Sequence, residues 1–399
     1  MRVYILLLLV AAAVTYLTTP AARWVARRTN AITAVRARDV HTTPKPRLGG
    51  LAITAGIVVA VLVASRMPFL DGVFATREVW GIVGAAVMVA LLGWADDIWD
   101  LDWMTKLAGQ VLAAGFMAVM GVQLVMWPFP GQLTIPGSRL SLIVTIFVVV
   151  ATMNAVNWSD GLDGLAAGII AIGGSAFFLY TYGLTQQASP QDYSSLASLV
   201  VAVLVGACLG FLPHNFFPSH IFMGDSGSMV LGLVLAGATI SVTGQTGVDL
   251  TSGPEAVPAF VPLLLPVAVV LLPFIDMTTA VARRLARGKS PFHADRKHLH
   301  HRMLALGHSH RRAVVILYVW TAVFAFGGAA LVRWPWQNVV IGTVIAAVVA
   351  LLLTLGPLRT RGRILDDDVA TGTMPAVPRT APPSLPPTIP PSPNRGRTP

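Results

Sequence analysis

Cysteine is almost missing from this sequence: Cys208 stands alone among 399 residues. A disulfide framework is thereby excluded, and so is a zinc site built on paired cysteines. Cys208 lies in the apolar run VAVLVGACLGFL, which suits a packed side chain. A reactive thiol needs an accessible, electropositive setting instead. Charge is scarce as well. Charged residues make up 12% of the chain, against roughly 25% in a soluble domain. That shortage excludes an ordinary soluble globular protein. Apolar residues reach 55%, which excludes disorder for most of the chain. The 36 glycines show no three-residue period, so a collagen-like chain is excluded too. What remains is an all-α, polytopic integral membrane protein.

Apolar runs of about 17–25 residues cross a bilayer as helices. Such runs fall near 3–19, 49–65, 79–95, 105–127, 140–156, 163–183, 196–212, 227–243, 260–282, 313–332 and 337–356. They predict about eleven transmembrane helices. The first run, with Arg2 before it, resembles a signal peptide. No small-residue cleavage site followed by a soluble domain appears, so it is read as an uncleaved span. The net charge is +10, but the basic residues cluster at the ends of apolar runs. There they act as topology signals, and no soluble domain is visible to carry a nucleic-acid face. The connections after spans 1, 9 and 11 are basic, while those after the even-numbered spans hold almost no Lys or Arg. The positive-inside rule then puts the N-terminus outside and the odd-numbered exits and C-terminus in the cytoplasm. Residues 1–356 read as the membrane domain. Residues 357–399, rich in Pro, Thr, Ser and Arg, read as a disordered cytoplasmic tail.

The 18 acidic residues are few enough for their placement to matter. Asp96, Asp97, Asp100 and Asp102 follow span 3, Asp160 and Asp163 follow span 5, Asp225 follows span 7, and Asp295 follows span 9. All of these exits face one side. Carboxylates near membrane depth are costly and usually functional. Gathered beside basic loops, they suggest Mg²⁺ and a phosphorylated ligand. In GWADDIWDLD, helical spacing puts Asp96, Asp97 and Asp100 on one face. Adjacent carboxylates repel unless a cation or proton lies between them.

The stretch NAVNWSDGLDGLAAG offers Asn154, Asn157, Asp160 and Asp163 at three-residue steps. Such side chains hydrogen-bond a nucleobase edge or sugar hydroxyls, or hold metal-bound water. Capping of a helix start explains one of these Asp residues, not four polar residues in register. FMGDSGS places Asp225 just before an apolar helix and resembles a phosphate-cradling turn. It lacks the Gly-Lys-Ser/Thr of a Walker A motif, so a kinase or ATPase reading gets little support. Asn215 and Phe222 lie nearby as candidates for contact with a base. HADRKHLHHRM sets His298, His300 and His301 among Arg296, Lys297 and Arg302. Asp295, His298 and His301 have zinc-ligand chemistry, but the basic flanks favour an anion such as a pyrophosphate. VHTTPKPRLGG holds His41, Lys45 and Arg47 before a glycine pair.

With HTTPKPRLGG, DDIWD, NAVNWSDGLDGLAAG, FMGDSGS and ADRKHLHHRM in this order over about residues 39–303, the chain resembles the polyprenyl-phosphate N-acetylhexosamine-1-phosphate transferase family. It is most similar to the bacterial branch that moves GlcNAc-1-phosphate from UDP-GlcNAc to undecaprenyl or decaprenyl phosphate, and within it to the initiators of wall teichoic-acid and linker units. The resemblance implies an Mg²⁺-dependent enzyme, with Mn²⁺ a candidate substitute, in a bacterial plasma membrane with its site toward the cytoplasm. It would make polyprenyl-PP-GlcNAc and UMP, the first membrane step of a cell-wall or surface glycopolymer. Residue by residue, the resemblance implies Asp225 as metal-binding, Asp96 as a base toward the lipid phosphate, and Asp97 as its acidic, metal-side partner. It implies Asn157, Asp160 and Asp163 as nucleotide-sugar contacts, and Asn215 and Phe222 as pocket residues. His298, His300, His301 and Arg302 fall in the loop that faces the pyrophosphate, and Lys45 stands for the first-loop lysine. Family members are often dimers, so a homodimer is an expected partner.

The alternative within the family is phospho-N-acetylmuramoyl-pentapeptide transferase, whose first loop reads TPTMGG and whose histidine motif is a triplet; here the stretches are KPRLGG and HLHH. From another class, a secondary transporter predicts acids at span midpoints and a repeat of spans. The clustered acids of DDIWD, SDGLDG and GDSGS sit at one set of ends, with Asp276, late in span 9, the possible exception. A scaffold protein would explain none of the clustered Asp, Asn and Gly. In a Cys208→Ser background, Asp100→Cys and His220→Cys are expected to react with an impermeant thiol reagent from the same side of the membrane. Labelling from opposite sides would separate DDIWD from GDSGS and remove the convergent site.

Overall fold

The computed structural model describes residues 1–33, 44–124, 126–129, 132–134, 137–188, 194–245, 278–279, 281–283, 285–286, 288, 303 and 307–355. Most of the expected span at 260–282 (residues 260–277 and 280), with Asp276, the tail at 357–399, and His298, His300, His301 and Arg302, lies outside the described residues. The helices described here belong to one compact unit, Met1–Gly356. They are α1 (Arg2–Arg28), α2 (Gly49–Ala64), α3 (Glu78–Trp99), α4 (Trp103–Val119), α5 (Ser138–Ser159), α6 (Leu165–Ala188), α7 (Leu196–Asn215), α8 (Asp225–Gln245), α9 (His310–Ala330) and α10 (Trp336–Leu355). Two short antiparallel ribbons pair β1 (Ile32–Thr33) with β2 (Lys45–Pro46) and β3 (Met126–Phe129) with β4 (Gln132–Thr134).

Helices dominate because hydrocarbon offers the backbone no other hydrogen-bond partner. Among the described residues, 8 helices are long and apolar enough to cross a membrane. The number is 9 if α2 and the turn Pro68–Phe74, bent by 97° against it, form one span. The chain is an all-α polytopic membrane protein. α7 and α8 form its centre, 83% and 89% buried over their apolar windows, whereas α10 is 11% buried and lies at the periphery. Cys208 is fully buried on α7, as its apolar run predicts.

Three local readings change. The helix expected over 105–127 stops at Val119, where Gly121 takes φ +112° and the chain turns into the β3–β4 ribbon. The first helix runs on to Arg28, nine residues past the predicted apolar edge at residue 19, because its basic last turn also has its backbone bonds satisfied within the helix. Asp96 and Asp97 belong to the last turn of α3, but Asp100 is its C-cap at φ +53°. A left-handed residue leaves the helical repeat, so Asp100 does not share the face expected for it.

α2, α3 and α8 meet backbone to backbone around the start of α8. A Cβ on Gly93 would lie 2.3 Å from the Ser226 nitrogen, and one on Gly50 would lie 2.1 Å from the Gly227 nitrogen. Small residues permit this approach between membrane helices. Gly93→Ala is therefore expected to cost about 1–3 kcal/mol or to abolish folding, read as thermal midpoint and monodispersity in detergent. Gly342→Ala, on α10 with open space around the added methyl, is expected to leave both unchanged.

Candidate active site

The start of α8 is the point on which the other polar segments converge. Asp225 opens the helix, and its Oδ1 accepts from the Asn157 amide of α5 at 2.9 Å. The same amide nitrogen donates to Ser228 Oγ at 2.8 Å. From α4, the Lys106 ammonium pairs with Asp225 and, at 3.1 Å, with Asp96 of α3. Asp96 also accepts from the Leu101 amide at 3.1 Å. Four helices thus contribute to one charged cluster, and two carboxylates share one cation.

Asp97 serves the same helix differently. Its Oδ1 accepts from the Asp225 amide at 3.2 Å, and its Oδ2 accepts from Ser226 Oγ at 3.1 Å. The Ser226 amide points to Oδ2 as well, at 3.4 Å. A carboxylate at a helix N-terminus satisfies amides that lack an intrahelical partner and complements the dipole. The amides of the GDSGS turn that sequence suggests for phosphate are therefore engaged internally. Gly224, at φ +73°, makes this possible: a Cβ there would lie 2.4 Å from Asp97 Oδ2.

A second cluster lies on the loops. Lys45 on β2 binds Asp163 Oδ2 at 3.0 Å and Ser219 Oγ at 2.8 Å, and the Ser219 amide donates to the same Oδ2 at 3.0 Å. Lys45 also stands 5.1 Å over the Phe222 ring. The backbone ties this loop to the start of α8: the Phe222 amide donates to the Pro46 carbonyl at 2.8 Å, and the Gly49 and Gly50 amides donate to the Phe222 and Met223 carbonyls at 3.0 and 2.9 Å. Asn215 is buried, with Oδ1 accepting from the Gly164 amide at 3.0 Å and Nδ2 donating to the Ile221 carbonyl at 3.0 Å. Asp160 lies in the turn between the clusters. Burial, then the nearby Asp163 and Asp97 carboxylates, push its carboxyl up to about 7. Its neutral form is therefore favoured below pH 7.

Of the polar stripe expected at three-residue steps, Asn157 and Asp163 join these clusters and Asp160 lies between them. Asn154 donates instead to Gln110 Oε1 at 2.7 Å, a bond between α5 and α4. Asp102 caps α4 through the Met104 and Thr105 amides, and the Thr105 bonds hold its carboxyl below the usual range. Sequence reasoning missed Lys106, Ser219, Ser226, Ser228 and His310. Lys106 carried a usable signal, a lone cation inside the apolar run 105–127. The serines carried none.

The cluster at α8 fits a hard divalent cation. Asp96 and Asp225 already bracket a positive charge of the chain's own. Mg²⁺ takes one or two carboxylates and completes its shell with water and phosphate oxygens. Among the described residues no group of three His, Cys, Asp or Glu side chains is disposed to cage a metal.

Residues 79–243 match the model of Glycosyl transferase family 4. The chain is 41% identical over 359 residues to a decaprenyl-phosphate N-acetylglucosaminephosphotransferase of Mycolicibacterium smegmatis, covering 89% of this chain and 88% of the relative. The protein of the same name from Mycobacterium tuberculosis H37Rv is 42% identical over 359 residues, with 89% of each chain covered. A probable undecaprenyl-phosphate N-acetylglucosaminyl 1-phosphate transferase of Bacillus subtilis is 31% identical over 322 residues, covering 78% and 80%. Likeness of this extent, over most of both partners, places the chain by descent: it belongs to glycosyl transferase family 4.

Proposed function

We propose that this chain transfers GlcNAc-1-phosphate from UDP-GlcNAc to a polyprenyl phosphate, releasing UMP, at the cytoplasmic face of a bacterial plasma membrane. The observation that carries the reading is the cluster at Asp225, built by Asn157, Lys106 and Asp96 from three other helices. The relatives at 41 and 42% identity bear the N-acetylglucosamine name, which favours this sugar over muramoyl-pentapeptide.

In the transfer, an oxygen of the lipid phosphate attacks the sugar-bearing phosphorus. The bond from that phosphorus to the bridging oxygen breaks, and UMP leaves with the electron pair. Alignment and charge neutralisation account for most of such catalysis. Asp225, with Asp96 or Asp97 beside it, would hold Mg²⁺, which when bound supplies positive charge to the diphosphate. Lys106 brings a cation to the same cluster, and Lys45 brings one to the donor side. Asp97 sets the direction of Asp225 through the first amides of α8. A phosphate monoester has a second pKa of about 6, so the acceptor is mostly dianionic at pH 7. Asp96 therefore aids the attack without being indispensable as a base. Asp163, held by Lys45 and Ser219, and Phe222 under Lys45 form the donor-side wall.

Membranes carrying the chain, given polyprenyl phosphate, Mg²⁺ and either labelled UDP-GlcNAc or labelled UDP-MurNAc-pentapeptide, are expected to move label into lipid from the first donor only, with stoichiometric UMP. Label from the second donor would assign the cousin reaction, and label from neither would end the transferase reading. Asp225→Asn is expected to lower kcat/KM by at least about 100-fold. Near-normal Mg²⁺-dependent turnover in that variant would remove Asp225 from the metal role. Lys106→Met is expected to lose about as much, with Lys106→Arg recovering part of it, measured as initial rates of UMP release.

A further inference from the structure

α9 lies outside the segment matched by the family model, yet its first residue touches the donor side. Ser309 is the N-cap, and His310 follows as the first helical residue. His310 Nε2 accepts a hydrogen bond from the Asp163 amide at 3.2 Å. The imidazole ring stacks on Phe217, with centroids 4.4 Å apart and planes at 24°. Arg311 places its guanidinium 5.7 Å over the same Phe217 ring. About two turns further along the helix, Tyr318 donates to the Gly164 carbonyl. Its ring fills the space where Gly168 lacks a side chain. The start of α9 therefore grips the SDGLDG turn at two carbonyl or amide groups and the 216–219 loop at one ring.

The chemistry of the ring narrows its role. An imidazole nitrogen that accepts from an amide carries no hydrogen, so the hydrogen sits on Nδ1. A doubly protonated ring would set two N–H groups against each other and lose the bond. His310 Nδ1 is buried and has no hydrogen-bond partner among the described residues. An apolar ring of the same shape would keep the stack on Phe217 and leave the Asp163 amide without this acceptor. What the imidazole adds over such a ring is the accepting nitrogen toward Asp163. That residue is then fixed twice, at its amide by His310 and at its carboxylate by Lys45 and Ser219.

We propose that His310 is a positioning residue for the donor nucleotide-sugar, acting by holding the Asp163 backbone so that the Asp163–Lys45 pair keeps its place in the donor-side wall. The inference rests on the transferase reading above. It predicts a defect in donor use, separate from acceptor binding and from the chemical step.

The test is steady-state kinetics of the full chain in detergent or membranes, varying UDP-GlcNAc and polyprenyl phosphate in turn. His310→Phe keeps the stack on Phe217 and removes the acceptor. His310→Gln restores an acceptor at the position of Nε2. His310→Phe is expected to raise KM for UDP-GlcNAc about tenfold, the size of one lost hydrogen bond. In that variant kcat and the KM for lipid should stay within about threefold, and His310→Gln should return the donor KM to within about threefold of wild type. Wild-type-like kinetics in His310→Phe would reduce His310 to a packing residue and overturn the proposal. So would a Gln variant no better than Phe, or a loss confined to kcat or to the lipid KM. Both variants keep a bulky side chain at the site, and their thermal midpoints are measured alongside. If Phe alone lowers the midpoint and kinetics do not change, the role is structural and the proposal fails. Wild-type protein that moves no label from UDP-GlcNAc sinks the functional reading itself, an outcome distinct from all of these.

Discussion

A helix that begins inside a membrane protein must find partners for its first amides, and the structure depends on how α8 meets that demand. Asp97, from the last turn of α3, accepts from the Asp225 and Ser226 amides. Ser226 is buried, and a buried amide left unsatisfied is costly. The glycine contacts of α2 and α3 with the same turn bring the backbones close enough for the cap to form. Once α8 is anchored, the direction of Asp225 follows. The Lys45 loop is anchored to the same place, through backbone bonds to Phe222 and Met223. Packing and site geometry thus share one origin.

Charge is then balanced in two layers. Around Asp225 the chain sets two acids against Lys106. Around Asp163 it sets one acid against Lys45. Between them, no cation among the described residues pairs with Asp160, and burial and its acidic neighbours raise its pKa. The pattern suits a ligand that carries negative phosphate at one end and neutral, hydrogen-bonding groups at the other.

Much of this was legible in the sequence. Hydropathy gave the helices because twenty-residue apolar runs have few other fates in lipid. The acids of DDIWD and GDSGS meet through Lys106 and the Asp97 cap, while Asp163 of SDGLDG pairs with Lys45 in the neighbouring loop cluster. What failed was local. Helical spacing predicts a shared face for Asp100, but the helix ends before it, and nothing in DDIWDLD marks a left-handed cap in advance. The GDSGS turn looks open to phosphate in sequence because the partner of its first amide, Asp97, lies 128 residues away. Ser219, Ser226 and His310 were invisible for the same reason. Each acquires its meaning from a contact between distant segments, and serine or histidine beside apolar runs is common without such contacts.

The pairing of Lys106 with Asp96 and Asp225 has a consequence for biogenesis. Where a site consists of bare ligands, the polypeptide is unfinished until its ion is delivered, as in zinc fingers. Here a tethered ammonium offsets half the charge of the two carboxylates once α3, α4 and α8 come together. The docking of these three helices can therefore rest on contacts among amino acids alone.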